Sequence, residues 1–147
     1  DRASFEKTVE VTLRGYVWTS VQAARRMRAR GGGCIVNIAS VNARRSAPGQ
    51  GVYSMTKAGI VNLTEGFAKE LAGDGIRVNA VLPGLTDTKF ASALTSNPKI
   101  LGMMMQLTPL NRVAQPDEIA PAVLYLCSAA SSYVTGSVIT ADGGYLA

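Results

Sequence analysis

The stretch Gly33-Cys34-Ile35-Val36-Asn37-Ile38-Ala39-Ser40 decides the fold class. From Cys34 to Ala39 it is short, apolar and rich in β-branched residues, which predicts a parallel strand buried on both faces. Gly31-Gly32-Gly33 breaks the chain in front of it, and a polar loop from Ser40 to about Gln50, containing Pro48-Gly49, follows. Ahead of the glycines, residues from about Phe5 to Arg30 carry helical signals, with Val9, Leu13, Val17 and Val21 four apart on one side. Beyond the loop the pattern predicts a second helix from about Val52 to Ala72, with Ile60, Leu63, Phe67 and Leu71 on its apolar face.

The same alternation continues. Gly73-Asp74-Gly75 ends the second helix, and Ile76-Arg77-Val78-Asn79-Ala80-Val81-Leu82 reads as another strand, stopped by Pro83-Gly84. The segment from Leu85 to Val113 has mixed apolar character and no clean period. Gln115-Pro116-Asp117-Glu118 starts a third helix with Ile119, Val123, Leu124 and Leu126 on its apolar face, and Val138-Ile139-Thr140-Ala141 is a last short strand. Helix and strand alternate three times, which predicts an α/β fold whose crossovers make the strands parallel. Three strands are few for such a sheet, and the first would present an apolar, unpaired edge. The expectation is therefore a chain lacking an amino-terminal portion of its sheet.

Composition narrows the chemistry. The chain has 147 residues, 47% of them hydrophobic and 17% charged, sized for one packed domain. No apolar run is long enough to span a membrane. Cys34 and Cys127 lie far apart in sequence without metal spacing, so buried thiols in a reducing, cytoplasmic setting are expected. The chain has no histidine, which removes Ser-His-Asp and Cys-His mechanisms and leaves no zinc site; no metal is expected. The net charge of +5 is concentrated in Arg25, Arg26, Arg28 and Arg30, where cations complement the negative end of a helix dipole. No aromatic platform is interleaved, so nucleic acid is not an expected partner.

Tyr53-Ser54-Met55-Thr56-Lys57 places a phenol and an ammonium four residues apart, on one face of a helix. A free phenol titrates near ~10, and lowering it by about three units needs roughly 4 kcal/mol of preference for the phenolate. A unit positive charge about 4 Å away in a partly shielded site supplies an interaction of roughly that size. The pair could then move a proton without histidine. The spacing alone is equally that of a surface pair on an amphipathic helix. Its context favours chemistry: Ser40 ends the preceding buried strand and Pro83-Gly84 ends the next, at the carboxyl edge where parallel α/β sheets gather ligands.

In these blocks the chain resembles the short-chain dehydrogenase/reductase family. Gly33 to Ser40 followed by Tyr53-Ser54-Met55-Thr56-Lys57-Ala58-Gly59 is similar to its serine-plus-YxxxK block, with the usual thirteen-residue step from Ser40 to Tyr53. Ile76 to Gly84, with Thr88 beyond, resembles its strand and PG motif. Leu110-Asn111-Arg112-Val113 to Glu118-Ile119-Ala120, then Val134-Thr135-Gly136 and Asp142-Gly143-Gly144, match its C-terminal pattern.

The resemblance implies a Rossmann-like, doubly wound parallel sheet represented by its last three strands. Residues 1–147 would be the C-terminal part of a single domain truncated at its N-terminus. It also implies an NAD- or NADP-dependent oxidoreductase interconverting a secondary alcohol and a ketone. Tyr53 would transfer the proton, Lys57 would lower the Tyr53 pKa and hydrogen-bond the nicotinamide ribose, and Ser40 would polarise the substrate oxygen. Pro83, Gly84, Leu85, Thr86 and Thr88 would hold the nicotinamide and phosphate region, with a helix cap as the plainer reading of Thr88. Thr88 to Leu110 would form a substrate lid with Phe90, Leu94, Ile100, Leu101 and Met103 to Met105 on its surface, a core-packing loop being the other reading, above all for the methionines.

Two long helices at 5–30 and 52–72 would pair two-fold into a homodimer or homotetramer. Asp142-Gly143-Gly144 would be structural, near a subunit contact. Thr12 in Val11-Thr12-Leu13-Arg14-Gly15 occupies the family's asparagine position, where a hydroxyl cannot both donate and accept as an amide does. The family's glycine-rich phosphate turn has no counterpart in this sequence. The alternatives are a non-catalytic oligomerisation module or inactive fragment, and a binding protein that has lost turnover.

Overall fold

Three parallel strands, β1 (Gly33–Ile38), β2 (Ile76–Pro83) and β3 (Val138–Ala141), pair in the order β1-β2-β3 in the computed structural model of the chain. It describes residues 1–147, the side chains of Ala93 and Leu94 excepted. Ile38 pairs with Val81, and Pro83 with Ala141, so the carboxyl ends of all three strands lie on one edge. The predicted strands are found within a residue of their expected limits.

The helices are α1 (Arg2–Thr8), α2 (Gly15–Arg28), α3 (Gly51–Leu71), α4 (Ser92–Thr95), α5 (Pro98–Gln106) and α6 (Pro116–Cys127). One face of the sheet packs on α2 and α3, where Ala24, Ile35, Ala68, Leu71, Ile76 and Val78 form a buried cluster. A second cluster of Ala39, Ile60 and Leu82 sits directly beneath the carboxyl edge. Burying a large aliphatic side chain completely stabilises by about 1.5–3 kcal/mol, and Ile60 and Leu82 have no exposed surface. The other face packs on α6, reached by Cys34, Arg77 and Asn79; Arg77 donates to the carbonyls of Val134 and Ser128 at 3.1 and 3.3 Å.

Two buried asparagines pin the sheet on opposite sides. Asn37 Nδ2 donates to Thr64 Oγ1 on α3 at 2.9 Å. Asn79 donates to the Val134 carbonyl at 2.9 Å and accepts from the Ser137 amide at 3.0 Å. At the opposite end of the sheet the turns entering β1 and β2 touch: a Cβ on Gly32 would fall 2.6 Å from the Gly75 carbonyl oxygen. Both glycines have positive φ, 136° and 70°, so neither tolerates a side chain.

Several expectations are corrected. The helix predicted from Phe5 to Arg30 is interrupted at Val9–Arg14 by a π-helical stretch that contains Thr12. Val9, Leu13, Val17 and Val21 are only partly buried, and Ser20 and Ala24 are the buried residues of α2. On α6 only Leu126 is buried, and Leu124 is 71% exposed. The segment without a clean period holds α5, capped by the Asn97 side chain, which accepts from the Lys99 and Ile100 amides, with Pro98 at its first position. The thiols are not both buried: Cys127, the last residue of α6, is exposed and Cys34 partly so. Despite their distance in sequence they lie side by side, with Cys34 Sγ donating to the Leu126 carbonyl at 3.1 Å. Arg28 in the last turn of α2 pairs with Asp74 at 2.6 Å, consistent with a solvated, dipole-complementing cluster of cations.

Candidate active site

Ser40 leaves the carboxyl end of β1 with extended backbone and starts a short 3-10 turn, its hydroxyl accepting from the Asn42 amide at 3.2 Å. That turn runs into a loop fastened to the start of α3. Asn42 Nδ2 donates to Gln50 Oε1, and Ser46 Oγ donates to Ser54 Oγ at 3.0 Å. Helix α3 therefore begins at a fixed height above the sheet, with Tyr53 and Lys57 in its first two turns on the side facing Ser40. Thr56 Oγ1 donates to the Tyr53 carbonyl at 2.7 Å.

Ser40, Tyr53 and Lys57 come together. Burial holds the Tyr53 phenol above its ordinary value, and the neighbouring Ser40 hydroxyl pulls it the other way without overcoming that. Burial likewise holds the Lys57 ammonium below its usual range. The expected depression of Tyr53 by Lys57 is not what this geometry produces. Lys57 Nζ stands over the Tyr53 ring, 5.6 Å from its centroid, and donates to the Ile38 carbonyl at 3.0 Å. Its charge faces the π-cloud and a backbone oxygen instead of the phenol oxygen.

Lys57 is 8% exposed, and among the described residues no carboxylate pairs with it. An ammonium has three donors, and one is taken by Ile38. Two remain, a fit for the paired hydroxyls of a ribose.

The PG-motif residues form the neighbouring rim. The Gly84 amide donates to the Ala141 carbonyl at 2.9 Å, and the Leu85 carbonyl accepts from Ala114 at 3.0 Å. Thr86 Oγ1 donates back to the Gly84 carbonyl at 3.1 Å. Thr88 caps the short 3-10 turn Lys89–Ala91 by accepting from the Ala91 amide at 3.2 Å, the plainer of its two expected roles. A cavity of about 200 Å³ opens beside this rim, lined by Leu85, Leu110 and Ile119 among others, and does not reach the Tyr53 phenol.

In the lid segment Phe90, 81% exposed, meets the Tyr53 ring with centroids 6.1 Å apart. Met103 and Ile100 are exposed at 66% and 37%, Leu101, Met104 and Met105 are partly buried, and Leu94 lies outside the described side chains. Sequence reasoning missed Tyr16. Its hydroxyl donates to the Ile38 carbonyl at 2.7 Å and its ring lies 5.3 Å from Lys57 Nζ. The available signal was its position one helical turn beyond Thr12.

A family model described as "Enoyl-(Acyl carrier protein) reductase" matches residues 1–146. The chain is 38% identical over 147 residues to cis-4-hydroxycyclohexanecarboxylate dehydrogenase of Sinomonas cyclohexanicum, covering all of this chain and 58% of that protein. It superposes on a short-chain type dehydrogenase/reductase from Mycobacterium ulcerans with TM-score 0.95 and 34% identity, over 99% of this chain and 53% of the other. A gluconate 5-dehydrogenase from Burkholderia cenocepacia in complex with NADP and tartrate matches with TM-score 0.97 and 33% identity, over 99% and 57%. The chain thus spans a little over half the length of the proteins it matches. With the Ser40, Tyr53 and Lys57 constellation at the carboxyl edge of a parallel sheet, it belongs to the short-chain dehydrogenase/reductase family.

Proposed function

We propose that this chain supplies the proton-transfer half of an NAD- or NADP-dependent oxidoreductase that interconverts a secondary alcohol and a ketone, within a larger Rossmann-like domain of which residues 1–147 are the C-terminal part. The observation that carries it is the buried Lys57 ammonium, 5.6 Å from the centre of the Tyr53 ring and with two donors to spare. The nicotinamide cofactor supplies or takes the hydride. Everything else falls to side chains of this chain. Ser40 and Tyr53 offer two hydroxyls to one substrate oxygen, and the phenol gives or accepts the proton there. Lys57, held by Ile38, presents its free donors to the ribose, and the backbone of Pro83, Gly84, Leu85 and Thr86 with Thr88 lines the nicotinamide side.

A phenol raised by burial is an acid in waiting, suited to protonating a ketone oxygen. For the reverse direction its proton must leave, and a second cationic or hydrogen-bonding contact at the phenol oxygen would then be needed to bring its pKa down. Phe90 against the Tyr53 ring, with Ile100 and Met103 beyond, gives the substrate side an apolar, adaptable wall. A homo-oligomer in the cytoplasm fits the rest of the surface. Val11 and Trp18 on the first helical stretch and Val52 and Met55 on α3 are exposed, and both thiols are free. No helix among the described residues is long and apolar enough to cross a membrane.

The test is Tyr53→Phe in the natural protein that contains this chain. Ketone reduction should fall at least a hundredfold, the scale of a lost general acid, while quenching of intrinsic fluorescence by the nicotinamide cofactor is retained. Undiminished turnover would remove Tyr53 from the chemistry.

A further inference from the structure

The Ile38 carbonyl accepts twice. Tyr16 Oη donates to it at 2.7 Å from α2, and Lys57 Nζ donates to it at 3.0 Å from α3. A carbonyl oxygen has two lone pairs, so neither donor displaces the other, and their shared acceptor brings phenol and ammonium into one small space. The Tyr16 ring centre then lies 5.3 Å from Lys57 Nζ, and the Tyr53 ring centre 5.6 Å from it. The ammonium thus stands over two aromatic rings and bonds a backbone oxygen. Groups facing it from each packed element are Tyr16 on α2, Tyr53 on α3 and the Ile38 carbonyl on β1; among the described residues no acid compensates its charge.

The setting explains why such contacts are needed. Lys57 is 8% exposed, and an unpaired buried ammonium loses hydration that something must replace. At Thr12, four residues before Tyr16, a hydroxyl stands within the π-helical stretch, and no hydrogen bond joins it to Lys57 among those of the described residues. Tyr16 itself is anchored. It packs against the Ala39, Ile60 and Leu82 cluster, and its hydroxyl bonds the Ile38 carbonyl.

We propose that Tyr16 is the positioning residue of this site: its ring caps the Lys57 ammonium above the Ile38 carbonyl that both side chains bond. Tyr16 touches neither of the reacting atoms and acts through Lys57. This rests on the proposed role of Lys57, but its physical content is testable without turnover. Burial already lowers Lys57. A cation–π contact favours the charged form of the cation. Removing the ring should therefore lower the Lys57 midpoint further, by about half a unit to one and a half units.

The experiment is an NMR titration of 13Cε-lysine in the natural protein without cofactor, on the parent, Tyr16→Met and Tyr16→Phe. Lys57 is assigned by the loss of its signal in Lys57→Met. Met fills similar space without a π-face and should lower the Lys57 midpoint; Phe keeps the face and should restore it. If Tyr16→Met is unfolded by its melting curve, Tyr16→Leu is the second non-aromatic variant, and Tyr16→Phe alone still tests retention. A midpoint that stays at the parental value in the non-aromatic variants overturns the proposal, and so does an equal fall in Tyr16→Phe. Because the readout needs neither substrate nor nicotinamide, a protein without dehydrogenase activity would refute the proposed reaction and leave this result untouched.

Discussion

Asp142 occupies the space a side chain on Gly84 would need: a Cβ built on Gly84 falls 2.8 Å from the Asp142 Cα and 3.1 Å from its carbonyl oxygen. The obstruction is backbone on both sides, where β2 leaves the sheet next to β3. Gly84→Ala should therefore force the rim apart, at a cost of about 1–3 kcal/mol for overpacking. Urea denaturation should show the loss, with the Leu85 carbonyl and the Asp87 amide shifted from their bonds to Ala114. An alanine variant as stable as the parent would mean that β3 moves aside freely.

Ile60 lies under the site. It is fully buried against Ala39, which precedes Ser40, and Leu82, which precedes Pro83. Ile60→Ala should cost about 2–5 kcal/mol, and Ile60→Val about 0.5–1.5 kcal/mol. The activity loss in Ile60→Ala should exceed what the folded fraction explains, since both strand ends lose their floor. Thermal melts and activity per folded molecule, read together, check this.

Glu118 takes two hydrogen bonds from the Arg112 guanidinium, at 2.7 and 2.6 Å, and one from the Gln115 amide at 2.8 Å. These bonds lower its carboxyl to about 2 from an ordinary 4.5. A depressed acid stabilises the fold above its unfolded value, and the gain disappears as pH falls through the folded one. Glu118→Gln should thus melt below the parent at pH 7, approach it from pH 4.5 downward and coincide with it near pH 2. The pair is exposed, so the difference should be small and shrink in high salt. A difference independent of pH would assign it to packing.

The two thiols should react at different rates. Cys127 is exposed, whereas burial pushes the partly covered Cys34 thiol up, against the opposing pull of Arg77. The thiolate is the nucleophile, so an aromatic disulfide reagent should titrate Cys127 in a fast phase and Cys34 in a slow one, the phases merging in urea. Equal native rates would contradict the burial of Cys34.

The sequence was most legible where one local pattern had one structural meaning. The β-branched runs from Cys34 and Ile76 could form only buried strands, and the steps from Ser40 to Tyr53 to Lys57 fixed a loop and one helical turn. What depended on a neighbour was hidden. Four-residue spacing predicted an unbroken first helix, because nothing local to Val9–Arg14 announces a wider turn. It could not show that Lys57 would face a ring and a carbonyl instead of the Tyr53 oxygen, since that direction is set by Ile38 on another element. Asn97-Pro98 was a readable start signal for α5. Leu124 lies on the apolar face of α6 yet is 71% exposed, because apolar periodicity marks a face without saying how much of it the sheet covers.

The paired asparagines also bear on how the chain finds its strand alignment. Asn37 and Asn79 point to opposite faces, each into a partner of matching polarity. Sliding either strand by one residue would turn its amide to the wrong side and strand it against hydrocarbon. Val, Ile and Ala would tolerate many misalignments of β1 on β2 almost equally well. Two amides with a single correct address each make the sheet intolerant of near misses, and so give proofreading to a core whose remaining contacts are largely interchangeable.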